Sequence, residues 1–190
     1  KCIDNMRDRG AMETKYEDLK GKTVLVTGGA SGLGYAIAKA FALNQSRVVI
    51  VGRDEAKLKR AKKELGRGVH CIPFDINDLD RLPSLVSQVE TKIGSLDVLV
   101  NNAGINLKKD AFHVTNEEYQ KIIQTNQTAV FALSREAARP MVKRGSGNII
   151  MISSMASRYG IPKVIGYTAS KAAVEGMTRA LAVELAAYGI

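Results

Sequence analysis

Two residues near the end of the chain, Tyr167 and Lys171, have side chains and a spacing suited to proton transfer. They are four positions apart in a segment predicted to be helical, so both lie on one face of that helix. A phenol, with a pKa of about 10, is a poor proton donor or acceptor at pH 7, but a nearby ammonium stabilises the phenolate and lowers that pKa. The pair therefore suits general acid/base work on an alcohol or carbonyl group. By itself, a Tyr-x-x-x-Lys pattern is more often a plain surface pair.

A third residue, Ser154, favours the catalytic interpretation of that pair. It stands thirteen positions before Tyr167, at the end of a predicted strand. Its hydroxyl can hydrogen-bond the same substrate oxygen and hold it against the tyrosine. Asn126 and Asp75 are further polar candidates. Each also has an ordinary explanation, since Asn126 can be a satisfied helix residue and Asp75 the first residue of a helix.

A glycine-rich segment at positions 27–34, Thr-Gly-Gly-Ala-Ser-Gly-Leu-Gly, lies between a predicted strand and a predicted helix. Glycine lets the backbone turn tightly and bring bare N–H groups up to a phosphate, and the positive end of the helix dipole adds to the attraction. A second apolar strand follows about 20 residues on, as a dinucleotide-binding unit requires. An ordinary strand–helix turn is the alternative, and this context disfavours it.

The rest of the chain alternates apolar strands with amphipathic helices. We predict strands at 22–27, 47–52, 68–74, 96–101 and 148–153, and helices at 32–44, 54–65, 78–93, 116–143 and 166–188. This order predicts an α/β fold with a doubly wound parallel sheet in three α/β/α layers, a Rossmann fold. Ligands bind such sheets at the carboxyl ends of the strands. Polar or glycine residues follow every predicted strand, at Gly28, Arg53, Asp75, 101–104 and 153–154.

Composition sets limits on the class of protein. A hydrophobic content of 45% and a charged content of 25% are typical of a globular protein. The net charge of +9 raises the question of a nucleic-acid partner. However, residues 53–67 hold seven Lys or Arg against three acids and the remaining surplus is scattered. A solvated helix face explains that segment best, a basic rim that attracts an anionic cofactor is the alternative, and no nucleic-acid partner is expected.

Other features point away from metal, disulfide and membrane roles. Cys2 and Cys71 are the two cysteines, and His70 and His113 have no partner spacing, so no metal site is expected. Neither a membrane-spanning run nor a signal peptide is visible, which makes the cytoplasm the default location. Residues 1–18 are polar and unpatterned and are expected to form a tail before a dinucleotide-binding domain at 19–190.

Five motifs together give the chain a specific resemblance. They are Thr-Gly-Gly-Ala-Ser-Gly-Leu-Gly at 27–34, Asn-Asn-Ala-Gly at 101–104, Asn126, Ser154, and Tyr-Thr-Ala-Ser-Lys at 167–171. In order and spacing they resemble the short-chain dehydrogenase/reductase family over about residues 19–190. That family continues into a sixth strand, a substrate loop and a seventh strand, so the resemblance implies that the last strands are missing and that the chain is a fragment. It also implies a homo-oligomer, a dimer or tetramer, for the full-length protein.

The resemblance implies a role for each matching residue. Tyr167 would be the catalytic acid/base, Lys171 would tune it and hold the nicotinamide ribose, Ser154 would position the substrate, and Asn126 would support a water in a proton relay. Asp75 would contact the adenine. The expected cofactor contacts are Gly28, Ala30, Ser31, Gly32, Leu33, Gly34, Arg53, Asp75, Ile76, Asn102, Ala103, Gly104, Tyr167 and Lys171.

The end of the second predicted strand bears on the choice of cofactor. NAD enzymes of this fold usually carry an acid there that binds the ribose 2′-hydroxyl. This chain has Gly52 at that place, followed by Arg53, whose planar fork can pair with a 2′-phosphate. We therefore expect NADP(H) to be favoured, with NAD(H) possible. The alternative is that Arg53 is simply a solvated residue at a helix start.

The substrate is the least determined part of the function. Segments 126–131 and 152–155 look similar to gluconate 5-dehydrogenases and related sugar-acid dehydrogenases, with 3-oxoacyl carrier-protein reductases and glucose dehydrogenases as alternatives. Lys108 or Lys109 is a candidate to hold a substrate carboxylate, although solvent-facing lysines are the commoner explanation. An inactive cofactor-binding relative is the non-enzyme alternative, and the intact set of Asn126, Ser154, Tyr167 and Lys171 disfavours it.

Overall fold

Five parallel strands form a single sheet. The computed structural model describes residues 16–190. The strands are β1 (Thr23–Thr27), β2 (Arg47–Gly52), β3 (Val69–Pro73), β4 (Leu96–Asn101) and β5 (Asn148–Met151). Their order in space is β3-β2-β1-β4-β5, and every neighbouring pair is parallel. The chain therefore runs from β1 outward to β3 and then crosses back to form β4 on the other side of β1. The boundary between β1 and β4 is the switch point at which doubly wound sheets bind ligands.

Within residues 16–190, six α-helices cover the two faces of the sheet. They are α1 (Gly32–Leu43), α2 (Glu55–Leu65), α3 (Leu82–Lys92), α4 (Asn116–Ile123), α5 (Ala129–Arg144) and α6 (Ile165–Leu185). One apolar cluster packs β-strand residues such as Leu25 and Leu99 against α3 and α5, and a second packs Val26 and Ile50 against α1 and α2. Because both faces are buried at β1, β2 and β4, these three strands are nearly continuous apolar runs, whereas the edge strand β5 is exposed or half-buried along its length. The predicted three-layer Rossmann fold is confirmed.

Several predicted boundaries differ from the structure, notably in three elements. The helix predicted at 116–143 is two helices joined by a π-helical turn, Gln124–Thr128. The strand predicted to reach residue 153 ends at Met151, and the hydroxyls of Ser153 and Ser154 then bond to side chains and to the local turn. The helix predicted from 78 starts as a 3-10 turn and becomes α-helical at Leu82.

The N-terminal prediction is only partly within the described part of the chain. Residues 1–15 of the predicted tail, including Cys2, lie outside it. From Glu17 to Leu19 the chain forms a 3-10 turn, and the Ser46 hydroxyl donates to the Leu19 carbonyl at 2.8 Å. Within residues 16–190, no helix has the length and apolar character needed to cross a membrane. The same residues hold no group of three or more His, Cys, Asp or Glu side chains that could share a metal ion.

Candidate active site

The glycine-rich turn between β1 and α1 is built so that only glycine fits at three places. Gly28 and Gly32 have φ angles of 66° and 54°, in the left-handed region that favours glycine. A Cβ on Gly34 would stand 2.3 Å from the Gly28 carbonyl oxygen and 2.4 Å from Nδ2 of Asn102. The backbone of this turn is therefore packed tightly against itself, and its glycines place no side chain over its outer edge.

The start of α1 faces the same edge. Ser31 is the N-cap residue, yet its side chain makes no capping hydrogen bond. The first N–H groups of a helix have no partner within the helix, and they attract anions together with the helix dipole. A phosphate at this turn would therefore meet unshielded backbone donors.

Thr27 fixes the turn to the next strand of the site. Its hydroxyl accepts hydrogen bonds from the backbone N–H groups of Asn102 and Ala103, both at 3.0 Å, and donates to the Val100 carbonyl at 3.3 Å. In return, Nδ2 of Asn102 donates to the Thr27 carbonyl at 3.0 Å. The segment after β4 is thereby held directly beside the glycine-rich turn.

These segments border a cleft of about 750 Å³ at the carboxyl ends of the strands. Ten of the fourteen predicted cofactor contacts line it: Gly28, Ser31, Leu33, Gly34, Arg53, Asp75, Ile76, Asn102, Ala103 and Gly104. Ala30 and Gly32 line smaller recesses on the other side of the turn. The cleft extends from the residues after β3 to the loop that follows β4. The cleft thus lies at the sheet edge where the cofactor is predicted to bind, and that binding stays a prediction.

Asp75 does not begin a helix. Its Oδ1 accepts two hydrogen bonds from Asn77, one from the backbone N–H and one from Nδ2, each at 3.0 Å. Oδ1 of Asn77 in turn accepts from the Thr125 hydroxyl at 3.1 Å. This chain of three side chains links the exposed carboxylate to the π-helical turn between α4 and α5.

Arg53 stands at the end of β2, where the cofactor argument placed it. Its side chain is exposed and borders a recess of about 430 Å³ together with Ser31 and Lys57. Lys57 forms an ion pair with Asp54, with its Nζ 3.6 Å from Oδ2. Within residues 16–190, Arg53 has no carboxylate partner, so its guanidinium is available to an anion in that recess.

Asn126 is buried, with 0% of its surface exposed, and its side-chain amide is engaged on both sides. Oδ1 accepts from the Ile105 N–H and Nδ2 donates to the Ile105 carbonyl, both at 2.8 Å. Nδ2 also donates to the Ser170 hydroxyl at 3.1 Å. The asparagine therefore joins the loop after β4 to α6, a role that the ordinary helix-residue explanation does not provide.

Lys171 is also buried, at 4% exposure. Its Nζ donates to the Ile152 carbonyl at 2.6 Å and lies 5.7 Å from the ring centroid of Tyr167. It is 3.7 Å from the position that a Cβ on Gly104 would occupy. Burial disfavours the charged form and lowers the pKa of this lysine. The plain surface pair considered for the Tyr-x-x-x-Lys pattern is therefore wrong.

Ser154 follows the end of β5 and caps a 3-10 turn, Met155–Ser157. Its hydroxyl accepts from the Ala156 N–H at 3.2 Å, which leaves its own proton for another acceptor. Ser154 and Tyr167 are both partly exposed. Backbone and side-chain contacts to α6 hold this turn beside the helix that carries Tyr167 and Lys171.

A family model described as short chain dehydrogenase matches residues 22–190. The chain belongs to the short-chain dehydrogenase family. It is accordingly an oxidoreductase, and its relatives act on CH–OH and keto groups.

Three relatives show the range of this similarity. A 3alpha-hydroxysteroid dehydrogenase from Mediterraneibacter gnavus is 38% identical over 172 residues, which cover 88% of this chain and 69% of the relative. A 5-keto-D-gluconate 5-reductase from Escherichia coli is 35% identical over 175 residues, covering 90% and 69%. A solved structure described as an NAD(P)-dependent gluconate 5-dehydrogenase from Beutenbergia cavernae, with NADP bound at low occupancy, has a TM-score of 0.85 and 37% identity, covering 90% and 69%. The chain thus spans 69% of the length of each.

The two lysines expected near the substrate of this short-chain dehydrogenase have different surroundings. Nζ of Lys109 lies 2.8 Å from both carboxylate oxygens of Glu118, and its backbone N–H donates to the Lys163 carbonyl at 2.8 Å. Lys108 is exposed and, within residues 16–190, has no ion-pair partner. Lys109 is therefore committed to a structural contact, and Lys108 is the one whose charge is available.

Several contacts that hold these segments together were not predicted from the sequence. Thr27 was included in the glycine-rich segment without its contacts to Asn102 and Ala103, and a polar residue at the end of an apolar strand was a usable signal. Asn77 gave a weaker one, because an Asp-x-Asn pattern favours a side-chain turn. Ser170 and Glu175 gave none, since their partners lie 44 and up to 22 positions away in the chain.

Proposed function

We propose that this protein transfers a hydride between a nicotinamide cofactor and a secondary alcohol or ketone, with Tyr167 as the general acid/base. The observation that carries the proposal is the arrangement around α6. This helix bears Tyr167 and the buried Lys171, binds Asn126 through Ser170, and holds the turn that carries Ser154. All four proposed catalytic residues are thus attached to one rigid element.

The cleft residues fit a dinucleotide. Gly34 keeps the turn tight, since a Cβ there would collide with the Gly28 carbonyl, and the uncapped start of α1 offers donors to a diphosphate. Asp75 at one end would meet the adenosine, and Lys171 beyond Gly104 would meet the ribose of the nicotinamide. When bound, the nicotinamide supplies or accepts the hydride.

The protein's own part in the reaction is proton transfer and positioning. In the direction of reduction, the Tyr167 hydroxyl donates its proton to the carbonyl oxygen while that oxygen becomes an alcohol. The Lys171 charge, 5.7 Å from the ring centroid, favours the negative charge left on the phenol oxygen. A hydrogen bond from Ser154 holds the reacting oxygen, and Asn126 keeps the Ile105 loop in place.

Removal of the Tyr167 hydroxyl tests this assignment. In the protein expressed from its complete reading frame, Tyr167→Phe should lower turnover by about 10²–10⁴-fold, as expected for a lost general acid/base. Binding of NADPH, followed by the change in nicotinamide fluorescence, should remain within two-fold. Turnover within a few-fold of the parent would refute the role of Tyr167. If the unaltered protein binds the cofactor and turns over none of the substrates below, it is an inactive relative.

For the substrate we propose a sugar acid such as gluconate or 5-ketogluconate. Support comes from the similarity to a 5-keto-D-gluconate 5-reductase and to a gluconate 5-dehydrogenase structure, and from the available charge of Lys108. The hydroxysteroid dehydrogenase is as similar in sequence, so the assay panel should include a 3α-hydroxysteroid, glucose and a 3-oxoacyl thioester. A higher kcat/KM for the steroid or thioester, or equal values for gluconate and glucose, would overturn the sugar-acid proposal.

We further propose that NADP(H) is preferred over NAD(H). Arg53 and the recess it shares with Ser31 lie where a ribose 2′-phosphate would be recognised, and Gly52 replaces the acid that would repel it. The Beutenbergia cavernae structure contains NADP.

A further inference from the structure

We propose that Glu175 is a positioning residue for catalysis, and that it acts by fixing the turn that carries Ser154 onto α6. The inference rests on the proposed function, because it concerns how the Ser154 hydroxyl is held in that reaction. Glu175 stands one turn of helix beyond Lys171, on the same side of α6.

Side chains from both sides of Ser154 converge on the Glu175 carboxylate. Oε1 accepts from the Ser157 hydroxyl at 2.5 Å and lies 3.3 Å from the Ser153 hydroxyl. Oε2 lies 3.6 Å from Nη2 of Arg158. Ser154 therefore lies, in the sequence, between residues that contact one and the same carboxylate.

On the N-terminal side of Ser154, the Lys171 Nζ donates to the Ile152 carbonyl at 2.6 Å and the Ser153 hydroxyl lies 3.2 Å from the Lys171 carbonyl oxygen. On its C-terminal side, Glu175 supplies the polar contacts to α6 through Ser157 and Arg158. The backbone hydrogen bonds of the turn are internal, from Ser157 N–H to the Ser154 carbonyl and from Arg158 N–H to the Met155 carbonyl. The Ser157 hydroxyl also lies 2.5 Å from the Ser154 carbonyl oxygen, so the residue held by Glu175 touches the backbone of Ser154 directly. A shift of Glu175 would consequently be passed to Ser154 through a single intermediate.

The carboxylate is suited to this task because it stays charged. The Ser157 hydrogen bond, followed by the charge of Arg158, lowers the pKa of Glu175 below its ordinary value. A charged acceptor makes shorter and stronger hydrogen bonds than a neutral one. Tyr167 and Lys171 are held by the helix itself, whereas Ser154 comes from another segment and needs such an attachment to keep its distance from them.

Truncation and conservative replacement give the test. Glu175→Ala should lower kcat by about 10- to 100-fold, the scale of a small misplacement of a positioned group. The dissociation constant of NADPH should stay within two-fold, since no cofactor contact is altered. Glu175→Gln keeps an oxygen for Ser157 and should retain kcat within about three-fold. The matched control is Glu184→Ala, which removes an exposed carboxylate from the same helix and should leave kcat unchanged.

A double-mutant cycle shows whether the effect passes through Ser154. In a Ser154→Ala background, adding Glu175→Ala should change kcat by less than two-fold. If the losses of kcat from the two substitutions multiply in the double variant, the inference is overturned. It is also overturned if Glu175→Ala lowers the melting temperature while kcat per cofactor-binding site is unchanged. The proposed function fails separately, by retained turnover in Tyr167→Phe or Ser154→Ala. If those two variants are inactive and Glu175→Ala is fully active, only the role of Glu175 is refuted. Should Glu175→Ala fail to fold, Ser157→Ala takes its place with the same expected loss of kcat.

Discussion

Gly34→Ala adds one methyl group at the tightest point of the cofactor turn. The new Cβ would stand 2.3 Å from the Gly28 carbonyl oxygen and 2.4 Å from Nδ2 of Asn102, where ordinary contacts begin at 3.4 Å. A displacement of roughly 1 Å is therefore unavoidable, and the first obstacle is backbone rather than a flexible side chain. Overpacking of this kind costs about 1–3 kcal/mol. Loss of the hydrogen bond from Asn102 to the Thr27 carbonyl adds about 1 kcal/mol.

We therefore expect Gly34→Ala to lower the free energy of unfolding by about 2–4 kcal/mol, measured by urea denaturation of the apoprotein. Because the same turn presents the phosphate donors, the dissociation constant of NADPH should rise by at least about ten-fold, equivalent to 1.4 kcal/mol. The measurement is a fluorescence titration under conditions in which the variant is folded.

Gly176→Ala is the matched control. It makes the same chemical change within α6, where a Cβ would meet no atom within 4 Å. Alanine is favoured over glycine in a helix interior, so this variant should gain about 0.5–1 kcal/mol. The packing argument would be refuted if Gly34→Ala were as stable as the parent, or if it bound NADPH with unchanged affinity.

Two further changes address charge. Arg53→Ala should raise KM for NADPH by about 10- to 100-fold, because charged hydrogen bonds to the 2′-phosphate are lost, and should leave KM for NADH within two-fold. The control is Arg179→Ala, which removes another exposed arginine. Equal effects of Arg53→Ala on both cofactors, or an equal effect of the control, would contradict the NADP preference. Lys171→Met should abolish turnover, and it also has a pH signature. Because burial lowers the lysine pKa in the folded state, the unfolded state binds more protons between that pKa and the ordinary value of 10.5. The stability of the parent relative to Lys171→Met should thus rise with pH in that window, and a flat difference in pH-dependent denaturation would be inconsistent with this account.

Much of the fold could be predicted because its cause is local. Runs of β-branched and aliphatic residues predicted all five strands, and at β1, β2 and β4 this pattern follows from burial on both sheet faces. The glycine turn was visible because its residues are adjacent in sequence. The topology then brings the residues after each strand to one edge, where Arg53, Asp75 and Asn102 line the same cleft.

Features made by distant partners could not be predicted in this way. Asn126 lies in a stretch with continuous helical periodicity, and its amide is satisfied by Ile105, 21 positions away. The distinction between Lys108 and Lys109 depends on Glu118 and on the Lys163 carbonyl. After β5 ends, the Ile152 N–H still donates to the Asn101 carbonyl, while the Ile152 carbonyl and the Ser153 hydroxyl bond to Lys171 on α6. In each case the deciding group comes from another element, so no local pattern carries the information.

The π-helical turn Gln124–Thr128 has a consequence for which changes of chain length the molecule can accept. A π-turn is equivalent to one extra residue inserted in an α-helix. Each residue turns a helix by about 100°, since there are 3.6 residues per turn. Removing one residue here would therefore let the turn close as regular α-helix with α5 nearly unrotated, whereas removing one residue from α5 before Ser134 would rotate the rest of that helix by this angle.

Such a rotation would break one of two side-chain contacts that are now made at the same time. Before the shift, Asn126 contacts Ile105, and Ser134 on α5 accepts from Nδ2 of Asn101 at 2.9 Å. After it, one of the two side chains would face the wrong way. Substitutions between these positions can be absorbed one at a time, and a single deletion can be absorbed only within the π-helical turn. The chain length from Ala129 to Ser134 is therefore fixed as firmly as the identity of either anchoring residue.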